Sequence, residues 1–483
     1  MFRRIFLIQV LAGLIVAVSE KLGLDLLNQP AWTTPLFERV KPIKLFVDPI
    51  NGSDTWSARQ DIVNADGNDG PIATIEQAKA IVRKLKSQPP QHYQPIKIML
   101  KGGMHFLSEP LVFEPEDSGS ISQPIIYESY YRERAVISGG QLITGWRRET
   151  VNGLKMWTAK LSQTEHNWQF QHLWINGKRR PRSRYPSQGY LKIKKPHGRK
   201  GKKLTDGNSQ IEYFPEDFPD IDVSAFKGAE AVIMSRWTDS HIPIIKIEPT
   251  KHLFHFKKAS VIKLTPGDLY YLENSLAWLN EPGEWFLDRQ LGKLYYLPLP
   301  EEEIDQIQAI APILANLLVI KGDVEAKKNV KHIKFRNLTF SHTDWHLPPF
   351  LSGYNQNAWQ VPAAVRATAT NYCIWNQCTF THLGNHALEL GEDCQNNRIT
   401  YSSFSDLGGG GIKIGHKHPH LSVFNPYRGN HHNLIVNNHI YDGGKFFHSA
   451  PAIAVVKSHE NFIARNHIHD YYYTGITLSL IHI

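Results

Sequence analysis

The sequence predicts an all-β fold, a parallel β-helix solenoid with a capping helix near its start and an antiparallel β segment inserted midway. Three observations predict it. Short β-rich runs follow one another from Ile96 to Trp146, separated by Gly or Pro clusters and with no helix-length periodic segment between them. From Trp146 to about Glu303 the rhythm changes to open apolar/polar alternation, as in GEWFLDRQLGKLYYLPLP. After Ala311 the runs become alignable copies of one pattern.

In order, the chain opens on MFRR and an apolar run from Ile5 to Val18. The run is short for a membrane span and right for a secretory signal, with Ala17-Val18-Ser19 as a small-residue cleavage site. Residues 1–19 are therefore expected to direct export to the periplasm or beyond, and to anchor the chain in a membrane only if uncleaved. Residues 20–43, with Pro30 and Pro35, read as a linker. Residues 44–145 read as the first solenoid coils. Within them Thr74 and Gln77 fit a capping box. Ile75, Ala78, Ile81, Val82 and Leu85 then give a helical stripe suited to covering the open end of a solenoid. Residues 146–310 read as the inserted antiparallel segment, including a hairpin that turns at Arg289 to Gly292. Residues 311–483 read as the coils that carry the site.

Composition narrows the function classes. A 483-residue chain that is 41% hydrophobic is long enough for a large core and not disordered. Its 12 Trp, 19 Tyr and 22 Phe suit stacking on sugar rings, and equally suit an ordinary β protein. The net charge of +9 is concentrated in Lys192 to Lys203, which has Gly and Pro but no interleaved aromatics. That run reads as a solvated loop, and nothing in the chain suggests nucleic-acid binding. Three cysteines, Cys373, Cys378 and Cys394, make no disulfide framework and no zinc spacing, and read as core residues.

The alignable copies are VKHIKFRNLTFSH, NYCIWNQCTFTH, NRITYSSFSD, HNLIVNNHIYD and ENFIARNHIHD. Their anchor apolars are Phe340, Phe380, Phe404, Ile440 and Ile468. Two residues after each anchor come His342, His382, Asp406, Asp442 and Asp470. In stacked coils equivalent positions lie about 4.8 Å apart, so these five form a column. For any single member the plain reading is a corner residue in an Asx-turn. Asp406 and Asp442 stand out as a pair because each is closely followed by glycines, which allow a ligand to approach the backbone. Neighbouring carboxylates are expected to raise at least one pKa, as a general acid requires. Carboxyls about 5 to 5.5 Å apart match retaining glycoside hydrolysis, and a tilted side chain would move them toward the inverting range.

Asp406 and Asp442 are therefore the catalytic candidates. Asp470 and His382, from the same column, are substrate-binding candidates, with His448 from the loops, Glu389 one coil earlier and Trp345 as a stacking platform. Glu389 also reads as a partnered acid, and Trp345, Trp359 and Trp375 as core or rim residues. The histidines His416, His418, His420, His431, His432 and His448 fit no standard ligand spacing, so no metal or cofactor is expected.

The sequence resembles the right-handed parallel β-helix repeat proteins of bacterial polysaccharide use, especially glycoside hydrolases that include α-fucosidase and xylanase members. The resemblance runs from about residue 44 to 478. It rests on FVDPINGSDTWS, DGPIATIEQA, LKGGMHFLSEPLVF, PEDSG, VISGGQLITGW, LWINGKRRPRSRYP, PGEWFLDRQLGKLYYLP, SDLGGGGI and YDGG. It implies a right-handed β-helix with an inserted β-sandwich-like domain and a catalytic aspartate pair at Asp406 and Asp442. Relatives continue past the segment matching Thr474 to Ile476, so the last coils are expected to be cut short. The first reading is an exported glycoside hydrolase with a polysaccharide or oligosaccharide substrate. A polysaccharide lyase on the same fold and a non-catalytic carbohydrate-binding protein stay open beside it.

Overall fold

The computed structural model describes residues 41–87, 94–161, 168–354, 356–415 and 429–478. The expected signal segment, most of the linker and His416, His418 and His420 lie outside these residues. Among the described residues nearly all regular structure is β, with one α-helix, α1 (Ile75–Ser87). No described helix is long and apolar enough to cross a membrane.

Three parallel sheets carry the stacked runs. The first holds eight strands, from Ile43–Val47 to Phe462–Ala464. The second holds seven, from Gly103–Phe106 to His467–Tyr471. The third holds seven, from Leu111–Phe113 to Ile476–Leu478. In the final stretch the chain visits the sheets in strict rotation. Arg398–Thr400 joins the first sheet, Ser403–Leu407 the second and Ile412–Ile414 the third; Leu434–Val436, His439–Gly443 and Ile453–Val455 then repeat the circuit. Short turns join the runs within a circuit, so parallel pairing forms only between circuits.

The anchors drawn from the sequence pair in register. Phe340 faces Phe380, Phe380 faces Phe404, Phe404 faces Ile440 and Ile440 faces Ile468. Their rings stack inside, with Phe380 and Phe404 at 4.6 Å and 3° between planes. Trp375 is fully buried beside Phe335, 5.8 Å away, so it is a core residue. The three cysteines are buried and free. Cys373 and Cys378 give their backbone N–H groups to Asn397 Oδ1 and Ser402 Oγ of the next circuit. Asn433, Asn438, Asn461 and Asn466 continue these two ladders, so the interior corner N–H groups are paired.

Helix α1 packs Ile75, Ala78 and Val82 into the same core, with Ile81 and Leu85 against its margin. Thr74 Oγ1 caps the Gln77 N–H at 3.2 Å. The Gln77 amide reaches the Asp54 carbonyl instead of closing the expected box.

Between Arg147 and Tyr296 the strand pairs are antiparallel, including Trp285–Asp288 with Lys293–Tyr296 across the expected hairpin. The segment has apolar clusters of its own, around Ile211, Tyr270 and Trp278 and around Trp157, Trp285 and Tyr296. The stacked register passes across it unbroken. Ile125–Ser129 pairs with Ile333–Arg336, and Ala135–Ser138 with Thr339–Ser341. The segment leaves and returns through one antiparallel pair, Gly140–Ile143 with Ala309–Pro312. The basic run is more ordered than a solvated loop. Lys192 and Lys195–His197 lie in strands and Ile193 is buried, because the stretch alternates around an apolar contact.

Candidate active site

The column is present, and its backbone explains its residue types. His342, His382, Asp406, Asp442 and Asp470 all adopt positive φ, between +50° and +63°, as the chain turns out of the second sheet. Asp and His tolerate this left-handed conformation better than β-branched residues do. Each corner therefore projects a polar side chain at the same height in its circuit.

What surrounds each corner differs. Asp406 is buried beneath a hairpin of the inserted segment. That hairpin pairs Leu173–Ile175 with Lys178–Arg180 across Asn176-Gly177, both at positive φ, as a tight two-residue turn requires. The register sets Trp174 directly opposite Arg179. Trp174 also pairs with Ile310, so the hairpin is held on the strands where the segment joins the stacked circuits. Both side chains meet Asp406. Trp174 Nε1 donates to Oδ2 at 2.8 Å, and Arg179 Nε donates to Oδ1 at 2.6 Å. Arg179 also donates to the Asp406 and Leu383 carbonyls and stacks over the Trp174 ring.

His382 Nδ1 donates to Oδ2 at 2.7 Å, so one member of the column serves its neighbour. Lys445 Nζ completes the set, 3.4 Å from Asp406 Oδ1 and 2.8 Å from Asp442 Oδ2. The two carboxylates thus share one ammonium. Burial would raise the Asp406 pKa. The Arg179 guanidinium, then the His382 ring and the Lys445 ammonium, outweigh burial and hold it well below the ordinary 3.8. The rise expected of a stacked carboxylate is therefore not met at Asp406, because Arg179 and Lys445 reach it from outside the column and His382 bonds it from within. Asp442 is more open, with 42% of its side chain exposed against 12% for Asp406.

The glycine runs have a packing role here. A Cβ on Gly408 would lie 2.2 Å from the Gly384 carbonyl oxygen, and one on Gly410 would lie 2.1 Å from that of Pro451. Backbone fills the space that the sequence reading reserved for a ligand. The loop after Asp442 lies on this run. Gly444 donates to the Gly409 carbonyl, Lys445 to that of Leu407, and Phe446 and Phe447 to that of Gly408. These bonds hold Lys445 between the two acids. Asp239 of the inserted segment secures the far end of the loop. It accepts from the His448 N–H at 3.2 Å, Ser449 Oγ at 2.9 Å and His241 Nε2 at 3.1 Å.

The remaining candidates sit further out. His448 belongs to the loop anchor, and its ring meets Tyr472 edge-on at 4.8 Å. Trp345 donates to the Tyr354 hydroxyl and packs in the cluster of Phe446 and Phe447 beneath the loop. Glu389 lies on the third sheet, 2.9 Å from Lys413 Nζ. Asp470 is in the column, but its side chain is 74% exposed and bonds His469 Nδ1 at 2.8 Å. Arg179, Trp174 and Lys445 were not singled out from the sequence. Their signals were the Asn-Gly turn in LWINGKRR, which fixes a Trp-Arg pair, and the lysine immediately after YDGG.

Comparison with known proteins adds a family-level finding. Residues 254–299 match the family model described as the GH141 insertion domain. A solved structure described as "Glycoside hydrolase" superposes with a TM-score of 0.73 at 22% identity, covering 90% of this chain and 79% of that one. The structural likeness is one of fold, and the family match is confined to residues 254–299. A complex of XylC with xylose aligns at a TM-score of 0.40 and 12% identity, over 90% of this chain and 59% of that one. A tailspike of Acinetobacter baumannii bacteriophage AP22, in complex with capsular saccharide, aligns at 0.22 and 8%, over 81% and 49%. Neither likeness is close enough to carry an argument. No curated protein matches the sequence.

Proposed function

We propose that this protein is an exported glycoside hydrolase whose three-sheet winding is a right-handed parallel β-helix, and that Asp406 and Asp442 cleave a glycosidic bond in a polysaccharide or oligosaccharide. The observation that carries the reading is the shared ammonium of Lys445, which draws a buried ionised carboxylate and an open one to a single point. Asp406 Oδ1 and Asp442 Oδ2 can be no further apart than those two contacts laid end to end. These contacts keep one oxygen of each carboxyl close to the other, an arrangement we read as double displacement, which the anomer first released would test.

Asp406 is the nucleophile in this reading. Its four acceptor directions are taken by Arg179, Trp174, His382 and Lys445, and the Lys445 contact is the longest. Withdrawal of Lys445 from both acids frees an Oδ1 lone pair of Asp406 to attack the anomeric carbon and lets Asp442 take up a proton from solvent. Asp442 gives a proton to the leaving oxygen as the glycosidic C–O bond breaks. It then takes a proton from the water that displaces Asp406, so both carboxyls return to their starting state. Arg179 and Trp174 hold the nucleophile in one orientation throughout.

Aryl glycosides of graded leaving-group ability test the roles. Asp442→Asn should keep activity on activated aryl glycosides and recover further with azide, while Asp406→Asn should lose activity on all of them. Full activity in both variants would sink the assignment. An unsaturated uronide product would replace hydrolysis by elimination.

A further inference from the structure

Beyond the candidate active site, the outer face of the second sheet carries a cluster of imidazoles. His439–Gly443 and His467–Tyr471 pair in parallel, with His439 opposite His467 and Tyr441 opposite His469. Ile440 and Ile468 point into the core, so period-two alternation turns the side chains on either side of them outward. The result is a patch of three histidines and one tyrosine on two adjacent circuits.

Like side chains stack on the outside of many repeat folds through strand spacing alone. Two features set this patch apart. The first is that His439 Nε2 and His469 Nε2 face each other at 2.8 Å. His469 Nδ1 bonds the Asp470 carboxylate at 2.8 Å, and a carboxylate only accepts, so Nδ1 carries the proton. With Nδ1 so engaged, Nε2 is the ring nitrogen directed at His439. Such a contact needs a proton or a cation between the nitrogens. The second feature is the third imidazole. His467 stacks on His439 at 4.8 Å and 4°, and one ligand atom from each histidine lies within 4.8 Å of the other two. Tyr441 stacks on both His439, at 4.2 Å, and His469, at 5.1 Å.

We propose that His439, His467 and His469 bind one divalent transition-metal ion of the zinc class, with Asp470 orienting His469. Neutral imidazole is a preferred ligand for such ions, at about 2.0–2.1 Å from nitrogen to metal. A carboxylate on the distal nitrogen is the usual support of a metal-bound histidine. Rotation of the half-exposed rings brings the three nitrogens to the separations of a tetrahedral site, and water fills the fourth position. The ion staples two successive circuits together. This inference does not depend on the hydrolase reading.

The test is calorimetric titration of the full chain with zinc chloride after chelator treatment and desalting. One equivalent should bind. His439→Ala and His467→Ala should each weaken binding at least tenfold, and Asp470→Asn about tenfold. His431→Ala and His459→Ala, which remove another stacked histidine pair (5.1 Å), should leave it unchanged. Cobalt substitution should give a tetrahedral nitrogen-ligand spectrum that is lost in His469→Ala, with circular dichroism verifying the fold of every variant. Absence of binding by the wild type, or binding that survives His439→Ala/His467→Ala, overturns the proposal.

Discussion

Asp406 and Asp470 hold the same place in the repeat, two circuits apart, and differ in nearly everything else. Both sit at a left-handed corner after an inward apolar anchor. Asp406 lies under the inserted hairpin with Arg179, Trp174, His382 and Lys445 around it, whereas Asp470 is exposed and holds one histidine. The stacked circuits therefore supply position, and the inserted segment supplies the environment that makes one position chemically special. Burial by a cation-bearing hairpin distinguishes a candidate nucleophile from a corner residue here, and repeat membership does not.

The largest test of that contrast replaces the two acids in parallel. Asp406→Asn should lower kcat/KM by about a thousandfold or more, whereas Asp470→Asn should change it by less than about twofold. Equal losses would break the comparison.

Removing the hairpin's cation comes next. Arg179→Met leaves Asp406 buried with less compensation, and loss of one partner of a buried pair costs about 3 kcal/mol. Urea unfolding reads that loss. Without the guanidinium the Asp406 pKa rises, so the acidic limb of the kcat/KM profile should move to higher pH. An unmoved limb would detach Arg179 from the nucleophile.

Acid stability probes the junction between hairpin and column. Burial pushes His172 and His342 down to about 3, and His386 beneath the glycine run likewise. Unfolded histidines titrate near 6.5, so between pH 6.5 and 3 the unfolded chain binds more protons than the folded one. Stability should therefore fall with falling pH through that window, by up to about 1.4 kcal/mol per pH unit for each histidine. His172→Gln should flatten the slope by one such increment, as measured from urea midpoints across the window. The smallest effect belongs to Lys445→Met, whose exposed-side contacts are worth about 1 kcal/mol or less in stability. Its consequence should appear in the pH profile of activity.

The division between stacked circuits and inserted segment also sets what was legible in the sequence. Anchor spacing and corner type recur in every copy, so the ladder from Phe340 to Ile468 and the column above it could be aligned from one chain. The pairing of Asp406 with Trp174 and Arg179 joins residues more than two hundred positions apart and leaves no periodic trace. The expected rise is not met at Asp406 for that reason, since the expectation did not count the Arg179 guanidinium brought by the inserted segment. The glycines after Asp406 were visible, but their neighbours were not. Contact with Gly384 and Pro451 is a property of stacked circuits that no local pattern records.

The pairing of Gly140–Ile143 with Ala309–Pro312 has a kinetic consequence. Joining Ile125–Ser129 to Ile333–Arg336 from an open chain closes a loop of roughly two hundred residues. If the inserted segment folds first on its own apolar clusters, that pair already holds the two ends together and the remaining loop is roughly thirty residues. The entropy of closure falls by on the order of 2 kcal/mol. The segment that furnishes Arg179 and Trp174 would then also act as the clasp on which the later circuits are wound, and refolding should slow when its entry and exit strands are kept from pairing.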